Sequence, residues 1–69
     1  MKIKVNGEEK FFNLNNKNIF LSEILISLGY KSNTVVVELS NIIINSESWK
    51  DKSINDGDKL EIVSIVGGG

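Results

Sequence analysis

The chain has no cysteine and no histidine, and all eight of its basic residues are lysine, so arginine is absent too. Without cysteine there is no disulfide to staple a small fold and no thiolate to serve as nucleophile or metal ligand. Without histidine, zinc sites built from imidazole and thiolate are excluded, as is a histidine general base. Eight lysines stand against nine acids. That balance, with no guanidinium group, argues against nucleic-acid binding, where a basic excess and arginine contacts carry much of the recognition. No apolar run approaches the roughly 20 residues that span a bilayer. The N-terminus alternates polar and apolar residues at once, unlike a secretory signal. The expectation is a soluble cytoplasmic protein, a monomer when free, that binds no metal and is not itself an enzyme.

What is present is a single small domain. Sixty-nine residues bury only a modest core. Residues 1–5 read as a strand, with Ile3 and Val5 alternating against Lys2 and Lys4. Asn6-Gly7 suits a type I′ turn, whose two central residues need positive φ. Residues 9–14 read as the return strand, with Phe12 and Leu14 on one face and Phe11 and Asn13 on the other. A polar connector follows. Leu21, Ile24, Leu25 and Leu28 then form one stripe at helical spacing, which predicts a helix over about 20–28, closed by Gly29. Either Asn18 or Ser22 is a candidate cap for its start. Ile26 falls off the stripe.

Residues 34–38 contain three consecutive valines and read as a central strand at least partly covered on both faces. Residues 41–44 form a shorter strand. Asn45 opens a single helical turn that brings Trp49 back as a lid on the core. Asp56-Gly57-Asp58 is a tight turn, its carboxylates serving turn geometry rather than a metal or acid–base pair. Lys50, Asp51, Lys52, Glu8 and Glu9 read as solvated surface. The last strand covers 59–66, with Leu60, Ile62 and Val66 facing one way and Glu61, Val63 and Ile65 the other. A hairpin, then a helix crossing to a third strand, implies an α+β roll of the β-grasp type: a mixed sheet of four to five strands with one main helix packed on one face. Residues 1–66 form this domain.

Residues 67–69 are a bare triple glycine. Lacking Cβ atoms, such a stalk enters channels too narrow for other residues, and extended it reaches roughly 10 Å. Its terminal carboxylate is then available for chemistry performed by another protein. The competing reading is an ordinary chain end or an inert linker.

The hairpin through Val5-Asn6-Gly7, the helix Leu21-Ser22-Glu23-Ile24-Leu25 and the run Ile54-Asn55-Asp56-Gly57-Asp58-Lys59-Leu60-Glu61-Ile62-Val63 ending in Val66-Gly67-Gly68-Gly69 resemble the ThiS family. These are the ubiquitin-like β-grasp sulfur carriers of thiamine biosynthesis. The similarity covers the whole chain. Three features depart from the family pattern. Phe20 stands at the helix entrance where the family often has threonine, Gly67 adds a third glycine to the usual pair, and no cysteine is present to form a persulfide link.

The resemblance implies that a ubiquitin-activating-type adenylating enzyme uses ATP and Mg to adenylate Gly69. A sulfur donor protein then converts it to a thiocarboxylate, which serves thiazole synthase. No cofactor is bound by this chain itself. Gly67 and Gly68 would thread into the partner. A docking surface is expected on the open sheet face around Phe11, Val36, Val63 and Ile65. The alternatives are the small subunit of molybdopterin synthase, with the same tail chemistry, and a β-grasp binding module whose glycines are inert.

Overall fold

The computed structural model describes residues 1–13 and 19–65. Strand β1 (Lys2–Val5) pairs antiparallel with β2 (Glu8–Phe11), from Lys2 opposite Phe11 to Val5 opposite Glu8. Asn6 and Gly7 close the hairpin with φ of 52° and 84°, the twist-matched turn that Asn-Gly favours. Regular pairing stops at Phe11, earlier than the alternation suggests, and Leu14 lies outside the described residues. One further exchange holds the ends together: the Phe12 N–H donates to the Met1 carbonyl and the Met1 amine to the Phe12 carbonyl, each at 2.8 Å.

A two-residue strand β3 (Ile19–Phe20) leads into α1 (Leu21–Ser27). Leu21, Ile24 and Leu25 are buried, while Ile26 is fully on the solvent side. The cap is neither expected residue. Phe20 occupies the N-cap position in extended geometry, and its phenyl ring can accept nothing. The orphan donors find other partners. Glu23 Oε1 accepts from the Phe20 N–H at 2.9 Å, the return half of a capping box. The N–H groups of Leu21 and Ser22 donate to the carbonyls of Lys52 and Trp49. Asn18 lies outside the described residues. The C-terminus follows expectation. Gly29, at φ 88°, donates to the Ile26 carbonyl, and Tyr30 donates to the Leu25 carbonyl, the paired bonds of a Schellman motif.

A short 3₁₀ turn (Ser32–Thr34) precedes β4 (Val35–Leu39), which pairs antiparallel with β5 (Ile42–Ile44). A second 3₁₀ turn (Ser46–Ser48) follows, with Asn45 at its cap position but without a side-chain cap bond. It delivers Trp49 into the core, where the indole N–H donates to the Ile44 carbonyl at 2.9 Å. Strand β6 (Ser53–Ile54) pairs with β3, a two-stranded ribbon the sequence did not announce.

Strand β7 (Lys59–Ser64) then runs through the middle of the main sheet, whose order is β2-β1-β7-β4-β5. Its pairing with β1 is parallel and with β4 antiparallel. Ile3, Val5, Val35, Val37, Leu39, Leu60 and Ile62 line the inner face and pack with the α1 stripe, Ile54 and Trp49 in one core. This is the expected β-grasp. Val66, expected inward on β7, lies outside the described residues.

Candidate functional site

The chemistry inferred from the sequence falls at the chain end, so the geometry that matters is how β7 is held and what surrounds its exit. Leu60 and Ile62 are buried, and each removal of such a side chain from water contributes about 1.5–3 kcal/mol. On one side β7 is bonded to β4 from Val35–Ser64 to Leu39–Leu60. On the other side the backbone of β1 runs out after the Asn6 N–H donates to the Leu60 carbonyl. There the Asn6 carboxamide takes over the role of a peptide group. Its Oδ1 accepts from the Ile62 N–H at 2.7 Å, and its Nδ2 donates to the Ile62 carbonyl at 3.2 Å. Beyond the strand, the Ile65 N–H donates to the Thr34 carbonyl at 2.8 Å. β7 is therefore held on the β1 side as far as Ile62 and on the β4 side as far as Ile65.

The turn feeding β7 is fixed in the same manner. Asp58 Oδ2 accepts from the Asn55 N–H at 2.8 Å, and Asp56 Oδ1 accepts from the Lys2 N–H at 2.7 Å. Gly57, at φ 89°, donates to the Lys2 carbonyl. Asp58 thus does the turn work anticipated for it, whereas Asp56 ties the turn to the start of β1.

Residues directly opposite in a ladder share a face, so register sorts the outer face of the sheet. Val36 lies opposite Val63, and Ile65 follows two residues later, just past the end of β7. Val63 and Ile65 are more than half exposed, and Val36 is half-buried. These three of the four predicted surface residues come together beside the exit. Phe11, although the most exposed at 75%, does not join them. It sits opposite Lys2, and Lys4 is level with Lys59. That places Phe11 about 20 Å from Val63 along the strand direction and two strands away.

Sequence reasoning missed Ile43. It lies opposite Glu38 on edge strand β5 and is 62% exposed, extending the apolar strip sideways. An edge strand of three isoleucines was the available signal. A shallow groove of about 330 Å³, lined in part by Val36, Ile43, Ile65, Asn33, Asn45 and Trp49, borders the strip.

Below the strip Glu38 and Glu61 stand directly opposite each other. The described ion pairs, Lys2–Glu9 and Lys10–Glu8, lie at the far side of the sheet. Gly67, Gly68 and Gly69, the predicted threading and modified residues, lie outside the described residues. Among the described residues no group of three potential ligands gathers for a metal ion, and no helix is long and apolar enough to cross a membrane.

Comparison with known proteins bears on this geometry. The model of the ThiS family matches residues 3–69. A protein of Paramagnetospirillum magneticum named thiazole synthase is 41% identical over all 69 residues, although the chain spans only 20% of that protein. An uncharacterised protein, ycf40, of Pyropia yezoensis is also 41% identical, with 100% of this chain and 93% of the relative covered. The crystal structure of the thiamine biosynthesis protein ThiS from Geobacter metallireducens superposes with a TM-score of 0.82 at 27% identity over the whole of both chains. A solution structure of a thiamine biosynthesis protein from the same organism gives 0.79, at 27% identity, with 100% of this chain and 88% of that one covered.

Proposed function

The chain belongs to the ThiS family, and we propose that it serves as a sulfur carrier whose reactive group is the Gly69 carboxylate. A carboxylate does not exchange oxygen for sulfur unaided, because oxide is a poor leaving group. An adenylating enzyme of the ubiquitin-activating type, using ATP and Mg, joins the carboxylate to AMP and releases pyrophosphate. A sulfur donor protein displaces AMP, which departs with the oxygen, and leaves a thiocarboxylate. The sulfur stays covalently held until a thiazole synthase takes it for thiamine biosynthesis.

The observation carrying this reading is that the family match runs through the glycine tail to residue 69, behind a β-grasp body like that of ThiS. The name thiazole synthase borne by a relative five times longer than the matched region supports that activity as the acceptor side. On this reading the strip of Val36, Val63, Ile65 and Ile43 beside the exit docks the partner, and Phe11 stands apart from it.

The test is reconstitution with the adenylating enzyme, ATP, Mg and a sulfur donor, followed by accurate-mass measurement of the intact chain. Oxygen-to-sulfur exchange at the terminus is expected. Alkylation distinguishes it from oxidation of Met1, the sole methionine. A chain lacking Gly68 and Gly69 should fold and stay unmodified. An unchanged mass with partners that thiolate another family member would refute the proposal.

A further inference from the structure

Asn6-Gly7 has a chemical property that the hairpin alone does not use. An asparagine followed by glycine is the pair most prone to succinimide formation, because the following N–H meets no side-chain obstruction. Here the carboxamide that would be attacked is the one clamping Ile62, with oxygen and nitrogen both engaged. The left-handed backbone at Asn6, φ 52°, is held by the same turn. Ile62 is buried, at 6% exposure.

We propose that Asn6 is a self-modification site gated by the pairing of β7 with β1. While Ile62 holds the carboxamide by both its oxygen and its nitrogen, the side chain is not free to turn onto the Gly7 nitrogen. When β7 parts from the end of β1, the Gly7 nitrogen bonds to Cγ and the Cγ–Nδ2 bond breaks. The Gly7 amide proton is lost to base and a proton is returned to the leaving group, so ammonia departs. Water then opens the succinimide. Attack at Cγ yields aspartate, and attack at the main-chain carbonyl yields isoaspartate, which adds a methylene to the turn.

Neither product rebuilds both halves of the clamp, because the bond to the Ile62 carbonyl needs the lost amide donor. Each replaces the Nδ2 donor by a carboxylate oxygen facing the Ile62 carbonyl, and isoaspartate also shifts the β1–β2 connection. The opening that exposes Asn6 is thereby recorded as a permanent loosening of the strand that leads to the chain end. Because exchange-type chemistry from an open state scales with the opening equilibrium, the rate reports how often β7 lets go.

The test follows deamidation at mildly alkaline pH by peptide mapping and by enzymatic methylation of isoaspartate. It compares the native protein, the same protein in denaturant, and V5A. Val5 is buried and pairs with Leu60, so V5A weakens the β1–β7 seam without touching Asn6 or Gly7. The denatured chain should deamidate at Asn6 at least about tenfold faster than the native one, and V5A should fall between them, since about 1.4 kcal/mol of lost stability is a tenfold rise in opening. Equal rates in native and denatured protein would overturn the gating. N6D, the encodable product, keeps an oxygen for the Ile62 N–H but sets a carboxylate against the Ile62 carbonyl, so it should unfold at lower urea concentration than wild type. An unchanged urea midpoint would overturn the loss of the clamp.

Discussion

Replacing Asn6 by alanine tests the claim that one side chain stands in for a missing stretch of β1. The substitution deletes two hydrogen bonds to the Ile62 backbone, of 2.7 and 3.2 Å, each worth about 1 kcal/mol net. It also strands an amide and a carbonyl on a residue only 6% exposed. An unpaired group that water cannot reach costs about 1–3 kcal/mol. With water reaching one of the two, the clamp accounts for about 2–4 kcal/mol. Alanine at φ 52° adds about 1 kcal/mol of left-handed strain.

A domain of this length has roughly 3–10 kcal/mol of stability, so N6A should be close to the limit of folding. Asn6→Gly separates the contributions. Glycine relieves the left-handed strain but restores freedom to the unfolded chain, and these effects offset to within about 1 kcal/mol. N6A and N6G should therefore both fall well below wild type and near each other in urea titrations followed by Trp49 emission. Hydrogen exchange at Ile62 should accelerate in both. If N6G retains wild-type stability, Asn6 served only the turn angle and the clamp has no energetic role.

Gly29→Ala should cost about 1 kcal/mol, because φ is 88° although no atom crowds the site; thermal unfolding reads it directly. Glu23→Ala removes the acceptor for the Phe20 N–H and should lower stability by about 0.5–2 kcal/mol, with backbone exchange at Phe20 rising. Trp49→Phe leaves the Ile44 carbonyl without its indole donor and should cost about 1–3 kcal/mol in circular-dichroism melts. The double variant V63S/I65S removes apolar surface that is already more than half exposed, so stability should move by less than about 1 kcal/mol. Its apparent affinity for the adenylating partner should drop severalfold; unchanged affinity would move the docking surface elsewhere.

Much of this architecture was legible where local chemistry decides it. Asn6-Gly7 dictated the hairpin, the Leu21, Ile24, Leu25 stripe dictated which helix face is buried, and Gly29 dictated where the helix stops. The start of α1 was not legible, because its donors are satisfied by the carbonyls of Lys52 and Trp49, residues remote in sequence. The β3–β6 ribbon escaped because two-residue strands carry no periodicity. Alternation correctly put Phe11, Val63 and Ile65 on the outer face. It could not separate Phe11 from the other two, since that depends on β7 entering parallel to β1 with Lys59 level with Lys4, a pairing between distant parts of the chain. The role of Asn6 toward Ile62 was hidden for the same reason.

The position of β7 bears on why the proposed carrier presents its end from a central strand. A partner that draws the tail into a channel orders three glycines, at about 1–2 kcal/mol of backbone entropy each, or about 3–6 kcal/mol together. Completing the burial of Val36, Val63, Ile65 and Ile43, each already partly covered, returns about 1 kcal/mol apiece, so about 3–5 kcal/mol. The two terms nearly cancel, which suits a carrier that must leave one partner for the next. On the proposed reading, a pull on the glycine residues would load β7. An edge strand, paired on one side only, would peel under it one hydrogen bond at a time. β7 is bonded to β4 along one side and to β1 and Asn6 along the other, so such a load would be shared by both sides of the strand.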